Sequence, residues 1–174
     1  MLIGACGLRW QRDLYKWNRV NQRRLLGRRK GARGKVRIAD FSTARGIYVL
    51  HNPQGIYYVG LAFGDYGRMT GRLADHTTDK HADQWDRFSW FSFDEPSDEV
   101  DNDGIVILDD DWDDYGELGA REAVKDLEAI LIAALAPPGN TRAEKFGLAE
   151  IWDQVANVRP PAVETLDDLR KRLE

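Results

Sequence analysis

The sequence predicts an α+β fold in which a small, mainly antiparallel sheet is flanked by helices. Two β-rich runs, "GIYVLH" (46–51) and "GIYYVGLA" (55–62), are joined by "NPQG" (52–55), which has the composition of a tight turn. Later in the chain, "AREAVKDLEAILIAALA" (120–136) repeats its apolar residues at helical spacing and stops before Pro137. The first two runs therefore predict a β-hairpin, and the later segment predicts the clearest helix.

The segment that precedes the hairpin is basic and aromatic. Trp10, Leu14 and Trp17 follow the i, i+4, i+7 spacing of a short amphipathic helix. The next stretch, "LLGRRKGARGK" (25–35), is rich in arginine and interrupted by glycine, which indicates a loop or linker. "VRIADF" (36–41) is rich in residues that favour strands.

The segments after the hairpin continue the same mixture of helices and strands. "GRLADHTTDKHADQW" (71–85) predicts a helix, and "RFSWFSFD" (87–94) alternates aromatic and polar residues as a strand does. "GIVILD" (104–109) is expected to form a short buried strand or an apolar run flanked by turns. "ETLDDLRKRLE" (164–174) predicts a last helix, opened by a capping box of Thr165 and Asp168.

The length and composition indicate one domain. A chain of 174 residues can build one proper hydrophobic core but not two large ones. Its single cysteine, Cys6, excludes an internal disulfide framework and fits a reducing compartment. No apolar run approaches the roughly 20 residues of a membrane helix, and "MLIGACGL" is too short and lacks the basic start of a signal peptide. We therefore expect a cytoplasmic protein without a membrane partner.

Charge is distributed unevenly along the chain. Residues 1–46 contain 13 Lys/Arg and two Asp/Glu, whereas residues 47–174 contain 12 and 27. The stretch 94–117, called the acidic block below, contains 12 Asp/Glu and no Lys or Arg. We therefore expect a basic N-terminal extension over residues 1–45.

The hairpin places two tyrosines where they can meet. Because side chains alternate along a strand, Tyr48 shares a face with Leu50, and Tyr58 shares a face with Gly60. In an antiparallel pair these two faces can be the same one. Tyrosines are common in strands, so the pair by itself is also compatible with ordinary packing.

The motif "GIYVL…YYVGLA" resembles the signature of the GIY-YIG nuclease family, with Val59 in place of the isoleucine. The family's other site residues follow in the same order, and here they are Arg72, His76, Glu128 and Asn140. The resemblance covers about residues 45–140.

This resemblance implies a small, mainly antiparallel three-stranded central sheet flanked by helices. It implies a nuclease domain over residues 46–157, preceded by the basic extension and followed by a C-terminal helix over 158–174. It also implies a metal-dependent endonuclease that hydrolyses phosphodiester bonds in DNA with Mg²⁺ or Mn²⁺. RNA as the substrate, and a nucleic-acid-binding module of the same fold that does not cut, remain alternatives.

The resemblance assigns a metal to Glu128 and the scissile phosphate to Arg72. Glu128 lies at the edge of an apolar stripe, where a carboxylate is costly unless a cation or a donor meets it. The alternative is an ordinary surface glutamate. Arg72 offers a planar fork to phosphate, although it could also form an ordinary surface ion pair, and Arg68 is its rival. Arg72 is preferred because His76 lies one helical turn farther along.

The remaining assignments concern proton transfer and substrate contact. The resemblance implies Tyr48 as general base, and His76 and His81 could move protons or orient water. The expected catalytic residues are Tyr48, Tyr58, Arg72, His76 and Glu128. The expected substrate-binding residues are Gly60, Arg68, His81, Asn140, Arg28, Arg29 and Lys30.

The basic extension and the acidic block each have two possible interpretations. The basic extension is expected to supply most of the affinity for DNA, or else to pair its charges with the acidic block. The acidic block is expected to be a solvated loop, or else to fold over the basic extension or the DNA groove and compete with phosphate.

Overall fold

A computed structural model describes residues 3–15, 17, 24–29, 37–64, 67–109 and 117–141 of the chain. The strands in these ranges are β1 (Ala5–Gln11), β2 (Leu26–Arg28), β3 (Ile38–Asp40), β4 (Gly46–Asn52), β5 (Gly55–Ala62), β6 (Arg87–Ser92), β7 (Glu95–Val100) and β8 (Val106–Asp109). The helices are α1 (Met69–Asp75), α2 (Glu117–Leu135) and the short 3₁₀ helix η1 (Arg12–Leu14).

The strands form two four-stranded sheets. The first sheet has the order β1-β6-β4-β5 and is antiparallel throughout. The second has the order β2-β3-β8-β7 and is mixed, since β3 and β8 run parallel. The expected three-stranded central sheet flanked by helices is therefore wrong, because the described residues form two sheets and two α-helices.

β1, an edge strand of the first sheet, overlaps the start of the segment that was predicted to be an amphipathic helix. Trp10 lies in β1 opposite Phe88, and its ring meets that of Trp90 edge to face at 5.2 Å. After η1, the ring centroid of Trp17 lies 5.9 Å from that of Phe88 and 5.8 Å from that of Trp85. The predicted amphipathic helix is wrong because a strand followed by a turn brings the same aromatic residues onto the core.

The second sheet is built partly from the acidic block. β7 and β8 lie within the block, so these residues are strands rather than a solvated loop. Arg24 forms ion pairs of 3.0 Å with Asp101 and with Asp103, and Arg37 lies 3.5 Å from Asp98. The described part of the block therefore pairs with basic residues of the same chain. Residues 110–116 of the block lie outside the described part.

The acidic block also contributes a buried ion pair beside β4. The Asp94 side chain is only 2% exposed, and it accepts hydrogen bonds of 2.7 Å from the backbone N–H and the Nε–H of Arg45. A buried carboxylate needs such partners because water no longer solvates it. This pair therefore fixes the chain at the start of the strand that carries Tyr48.

The first sheet is covered on both faces. One face packs against the second sheet and α1. The buried cluster between them includes Tyr48, Leu50, Phe88 and Trp90 from the first sheet, together with Leu25, Ala39, Phe41, Val106, Met69 and Leu73. The other face packs against α2, and its buried residues include Ile47, Val49, Val59, Leu61, Phe93, Val124 and Ile132. Residues 46–51 of β4 are consequently buried on both sides of the sheet.

The helices agree with their predictions to different extents. The helix expected over 71–85 ends at Asp75, and turns follow it. In these turns Asp79 accepts hydrogen bonds from side-chain and backbone groups, which competes with helix continuation. α2 confirms the clearest predicted helix, and it ends where Ala136 adopts a left-handed φ of 42° before Pro137.

Several other predictions have definite outcomes. The strands predicted from "RFSWFSFD" and "GIVILD" are confirmed as β6 and β8, but the expected burial of the second is wrong, because only Val106 of β8 is buried. No helix among the described residues is long and apolar enough to cross a membrane. The C-terminal helix expected over 158–174 lies outside the described residues.

Candidate active site

The hairpin register brings the two signature tyrosines together, as the alternation predicted. Tyr48 lies opposite Gly60, and Leu50 lies opposite Tyr58. Both phenol rings therefore project from the same face of the first sheet. Their centroids are 6.1 Å apart and their planes differ by 28°.

Gly60 provides the space that the two rings need. A Cβ atom at this position would lie 2.4 Å from the Oη atom of Tyr48 and 2.7 Å from Cε1 of Tyr58. The sequence suggested that this glycine lets substrate approach closely. In the folded chain the space beside it is filled by the phenol rings of the same protein.

Tyr48 is a buried phenol that is hydrogen-bonded at its hydroxyl. Its side chain is fully buried, and its Oη lies 2.8 Å from Nε2 of His76. Burial raises the pKa of Tyr48 well above its usual value, and the charges of Tyr58 and Glu128 raise it further, while Arg72 lowers it. Arg72 does not offset the burial, so Tyr48 is a neutral phenol at physiological pH.

His76 connects Tyr48 to a carboxylate. Nδ1 of His76 lies 2.7 Å from Oδ2 of Asp79, and the indole N–H of Trp85 donates to the His76 carbonyl at 3.0 Å. Burial lowers the pKa of His76, although Asp79 raises it. Burial would raise the pKa of Asp79, but hydrogen bonds from the backbone of His81 and from His76 lower it below its usual value. Asp79 is therefore a carboxylate and His76 is a neutral imidazole near pH 7.

His81 completes a cluster of aromatic rings. Its side chain is buried, and its ring centroid is 5.1 Å from that of His76 and 4.9 Å from that of Tyr58. Nδ1 of His81 lies 2.9 Å from the hydroxyl of Tyr57. Neither Tyr57 nor Asp79 was among the site residues expected from the sequence. Asp79 lies three residues after His76, a spacing that could have drawn attention to it.

Arg72, rather than Arg68, reaches the two phenols. The charge of Arg72 acts on both Tyr48 and Tyr58 and opposes the rise in the pKa of each. Its side chain is 27% exposed, and its Nε atom is buried without a hydrogen-bond partner in the described structure. Arg68 is exposed at the start of α1. An unpartnered buried donor is costly, so Arg72 is the arginine prepared to meet an additional acceptor.

Glu128 lies in α2 close to the same phenols. It is half-buried, and its charge raises the pKa of Tyr48 and of Tyr58. All five expected catalytic residues therefore lie in one region of the folded chain. They are Tyr48, Tyr58, Arg72, His76 and Glu128. They come from two strands, one helix end and a second helix that is distant in the sequence.

Asn140 has a structural role in this state. Its Oδ1 accepts from the Val59 N–H at 2.9 Å, and its Nδ2 donates to the Val59 carbonyl at 2.8 Å. The N–H of Gly139 also donates to the Tyr57 carbonyl at 2.8 Å. The turn after α2 therefore occupies the free edge of β5, as a neighbouring strand would.

The basic residues expected to bind substrate are not all described. Arg28 and Arg29 are exposed at the end of β2, in the second sheet. Lys30 lies outside the described residues.

Among the residues that the structure describes, two sets of donor atoms could hold a metal ion. The Glu128 carboxylate offers oxygen, which Mg²⁺ and Mn²⁺ prefer. Separately, His76, Asp79 and His81 each offer a ligand atom, and these atoms lie within 4.8 Å of one another. Imidazole nitrogens favour transition metals such as zinc. Here both nitrogens of His76 are engaged by Tyr48 and Asp79.

Comparisons with protein-family models, with curated proteins and with solved structures found no match.

Proposed function

We propose that this protein is a metal-dependent endonuclease that hydrolyses phosphodiester bonds in DNA, as its resemblance to the GIY-YIG nucleases implies. The observation that carries the proposal is the convergence on one buried hydroxyl, that of Tyr48. This hydroxyl is hydrogen-bonded to His76, and the charges of Arg72 and Glu128 act on it. A module that only bound nucleic acid would gain nothing from a half-buried carboxylate, because it repels phosphate.

Arg72 is the group that meets the scissile phosphate. Its guanidinium can form paired hydrogen bonds with two phosphoryl oxygens, and its unpartnered Nε gives it capacity for one more acceptor. Tyr48, on which the charge of Arg72 acts, is fully buried in the described structure. Drawing Arg72 onto a phosphate would shift its side chain and open the Tyr48 hydroxyl to a water molecule.

The hydroxyl then serves the attack on phosphorus. A water molecule gives a proton to the Tyr48 oxygen as its own oxygen bonds to phosphorus, and the Tyr48 hydroxyl gives its proton to Nε2 of His76. The bond between phosphorus and the 3′ oxygen breaks and solvent protonates this leaving oxygen, while the His76 imidazolium returns its proton to solvent. The products are a phosphomonoester and an alcohol, so the reaction is a hydrolysis.

Glu128 would hold one Mg²⁺ or Mn²⁺ ion, with water in the remaining positions. The half-buried carboxylate fits this role because its oxygens are ligands that these ions prefer, and because its charge acts on both phenols. The bound ion would neutralise charge on the phosphoryl and leaving oxygens.

Cleavage of plasmid DNA tests the proposal. We expect the purified protein to nick or linearise supercoiled plasmid with Mg²⁺ or Mn²⁺ and to be inactive with a chelator. Glu128→Gln should lower the cleavage rate by about 10²–10³-fold or more, because it removes the charge that retains the ion. Binding of DNA should be unchanged or tighter, since a negative charge is lost.

A matched control comes from the same helix. Asp126 is exposed in α2, so Asp126→Asn removes one charge without touching the site and should cut at the wild-type rate. Equal activity of wild type and Glu128→Gln would refute the metal assignment. Cleavage of RNA but not DNA would transfer the proposal to RNA, and binding without any cleavage would identify a non-catalytic module.

A further inference from the structure

The carboxylate of Asp79 is hydrogen-bonded to both histidines of the site. Its Oδ2 atom lies 2.7 Å from Nδ1 of His76, and its Oδ1 atom accepts from the backbone N–H of His81 at 2.8 Å. Each histidine in turn contacts a phenol, since His76 reaches Tyr48 and His81 reaches Tyr57. Asp79 thus lies at the centre of a hydrogen-bonded chain that the sequence analysis did not predict.

The hydrogen bonds determine which nitrogen of His76 carries the proton. A carboxylate can only accept hydrogen bonds, so Nδ1 of His76 must donate to Asp79. In a neutral imidazole the other nitrogen, Nε2, is then an acceptor. It lies 2.8 Å from the Tyr48 oxygen, so the Tyr48 hydroxyl donates to it.

We propose that Asp79 is a positioning residue that keeps His76 in the Nδ1–H tautomer, so that Nε2 can receive the Tyr48 proton. The inference rests on the proposed function and adds a residue to it. When Tyr48 gives its proton to Nε2, His76 becomes an imidazolium ion, and the Asp79 carboxylate stabilises it through the Nδ1–H bond. The same division of roles, in which a carboxylate orients a histidine without itself taking the proton, operates in serine hydrolases.

The other charged groups near His76 do not supply this function. Asp75 and Arg72 act on His76 electrostatically. Asp75 is exposed and lies 3.5 Å from Arg72, to which it is paired. Asp79 is the carboxylate in hydrogen-bond contact with the imidazole.

Asp79→Asn is a sharp test because it reverses the tautomer without changing side-chain shape. The backbone N–H of His81 needs an acceptor, so it retains the amide oxygen of Asn, and the amide NH₂ group then faces Nδ1 of His76. Nδ1 must now accept, which moves the imidazole proton to Nε2. An Nε2–H group donates to the Tyr48 oxygen and cannot receive its proton.

The experiment combines nitrogen NMR with cleavage kinetics on the full chain. With ¹⁵N-labelled histidine, at pH 7.5 and in the presence of a chelator, we expect Nδ1–H for His76 in the wild type and Nε2–H in Asp79→Asn. The cleavage rate of the variant, measured after adding Mg²⁺, should fall by about 10²–10⁴-fold. Its affinity for DNA should stay within about twofold, a range of less than 0.5 kcal/mol. Asp83→Asn, an equal charge change at an exposed position, should alter neither the tautomer nor the rate.

Each failure has a different meaning. An Nε2–H tautomer in the wild type would overturn the inference without use of any variant, even if Asp79→Asn did not fold. An unchanged tautomer in Asp79→Asn, or a changed tautomer with full cleavage activity, would also overturn it. If the wild type cut no nucleic acid, the proposed function would fail, and the proton-relay role of Asp79 would fail with it, whereas the hydrogen-bond assignment would still be decided by the spectra.

Discussion

Gly60 shows at the residue scale how a missing side chain sets the geometry of the site. Tyr48 and Tyr58 come from opposite strands and approach each other above this glycine. Tyr48 is fully buried, so its ring has no open space to move into. The position of the Tyr48 hydroxyl beside His76 therefore depends on the absence of a Cβ atom two residues after Tyr58.

We expect Gly60→Ala to lower the free energy of unfolding by about 1–3 kcal/mol, because overpacking forces a buried ring from its place. Cleavage should be lost as well, since the 2.8 Å contact between Tyr48 and His76 cannot persist. Urea unfolding and the plasmid assay measure the two effects.

Gly71 provides the matched control for this substitution. It lies in α1, and a Cβ atom there would meet nothing within 4 Å. Gly71→Ala should therefore raise the free energy of unfolding by about 0.5–1 kcal/mol, as alanine does in a helix interior. A Gly60→Ala protein as stable and as active as the wild type would show that the rings can repack.

At the element scale, the turn after α2 attaches this helix to the edge of the first sheet. Asn140 forms two hydrogen bonds with Val59, and Gly139 forms one with Tyr57. A Cβ atom at Gly139 would lie 2.8 Å from the Tyr57 carbonyl, so close approach requires glycine here. Because Glu128 lies two turns before the end of α2, this attachment also sets its position.

Asn140→Asp should weaken the attachment and cost about 1–3 kcal/mol of unfolding free energy, because a carboxylate cannot donate to the Val59 carbonyl. Amide hydrogen exchange should become faster at Gly139, whose N–H donates to Tyr57. Asn102→Asp makes the same chemical change in an exposed turn and should stay within about 0.5 kcal/mol of the wild type. Equal exchange at Gly139 in wild type and Asn140→Asp would contradict the role of Asn140.

On the scale of the whole molecule, all three histidines are buried. His51, His76 and His81 are each less than 7% exposed, and burial is the main cause that lowers the pKa of each. His51 lies outside the candidate site and is bonded to Ser89 at 2.9 Å. The folded protein therefore binds fewer protons than the unfolded chain in mildly acidic solution.

Stability should consequently decrease as the pH falls below about 6.5, the pKa of histidine in an unfolded chain. The pKa values of the three histidines are lowered in the folded state. Their contribution to the free energy of unfolding is therefore complete above this pH, and it is lost as the pH falls because the unfolded state gains protons first. Each histidine can contribute a slope of at most about 1.4 kcal/mol per pH unit. Asp79 and Asp101 have lowered pKa values too, so their contributions disappear only in more acidic solution.

Urea unfolding between pH 7.5 and 5.5, with a chelator present, measures this dependence. His51→Gln removes one of the three groups without altering the site, so its slope should be shallower than that of the wild type. A free energy of unfolding that is constant across this range would show that the histidines ionise equally in both states.

The sequence by itself determined those features that depend on neighbouring residues. Strand alternation and the turn residues predicted the β4–β5 hairpin and the shared face of Tyr48 and Tyr58, and both are confirmed. Helical periodicity followed by prolines predicted α2, which is also confirmed. These patterns arise within a few residues, so a single chain segment contains the information for them.

Only the tertiary structure decided which segments pair across long distances. Residues 5–11 join the first sheet because Trp10 packs on Phe88 and Trp90. The spacing of Trp10, Leu14 and Trp17 also suits a helix, so the sequence did not decide between the two. Asp79 acquires its place because the chain turns after α1, and Asn140 because the chain returns to the edge of β5. Local periodicity describes which face of a segment is apolar but not which partner covers it, and the burial and hydrogen bonds supplied by that partner select the final arrangement.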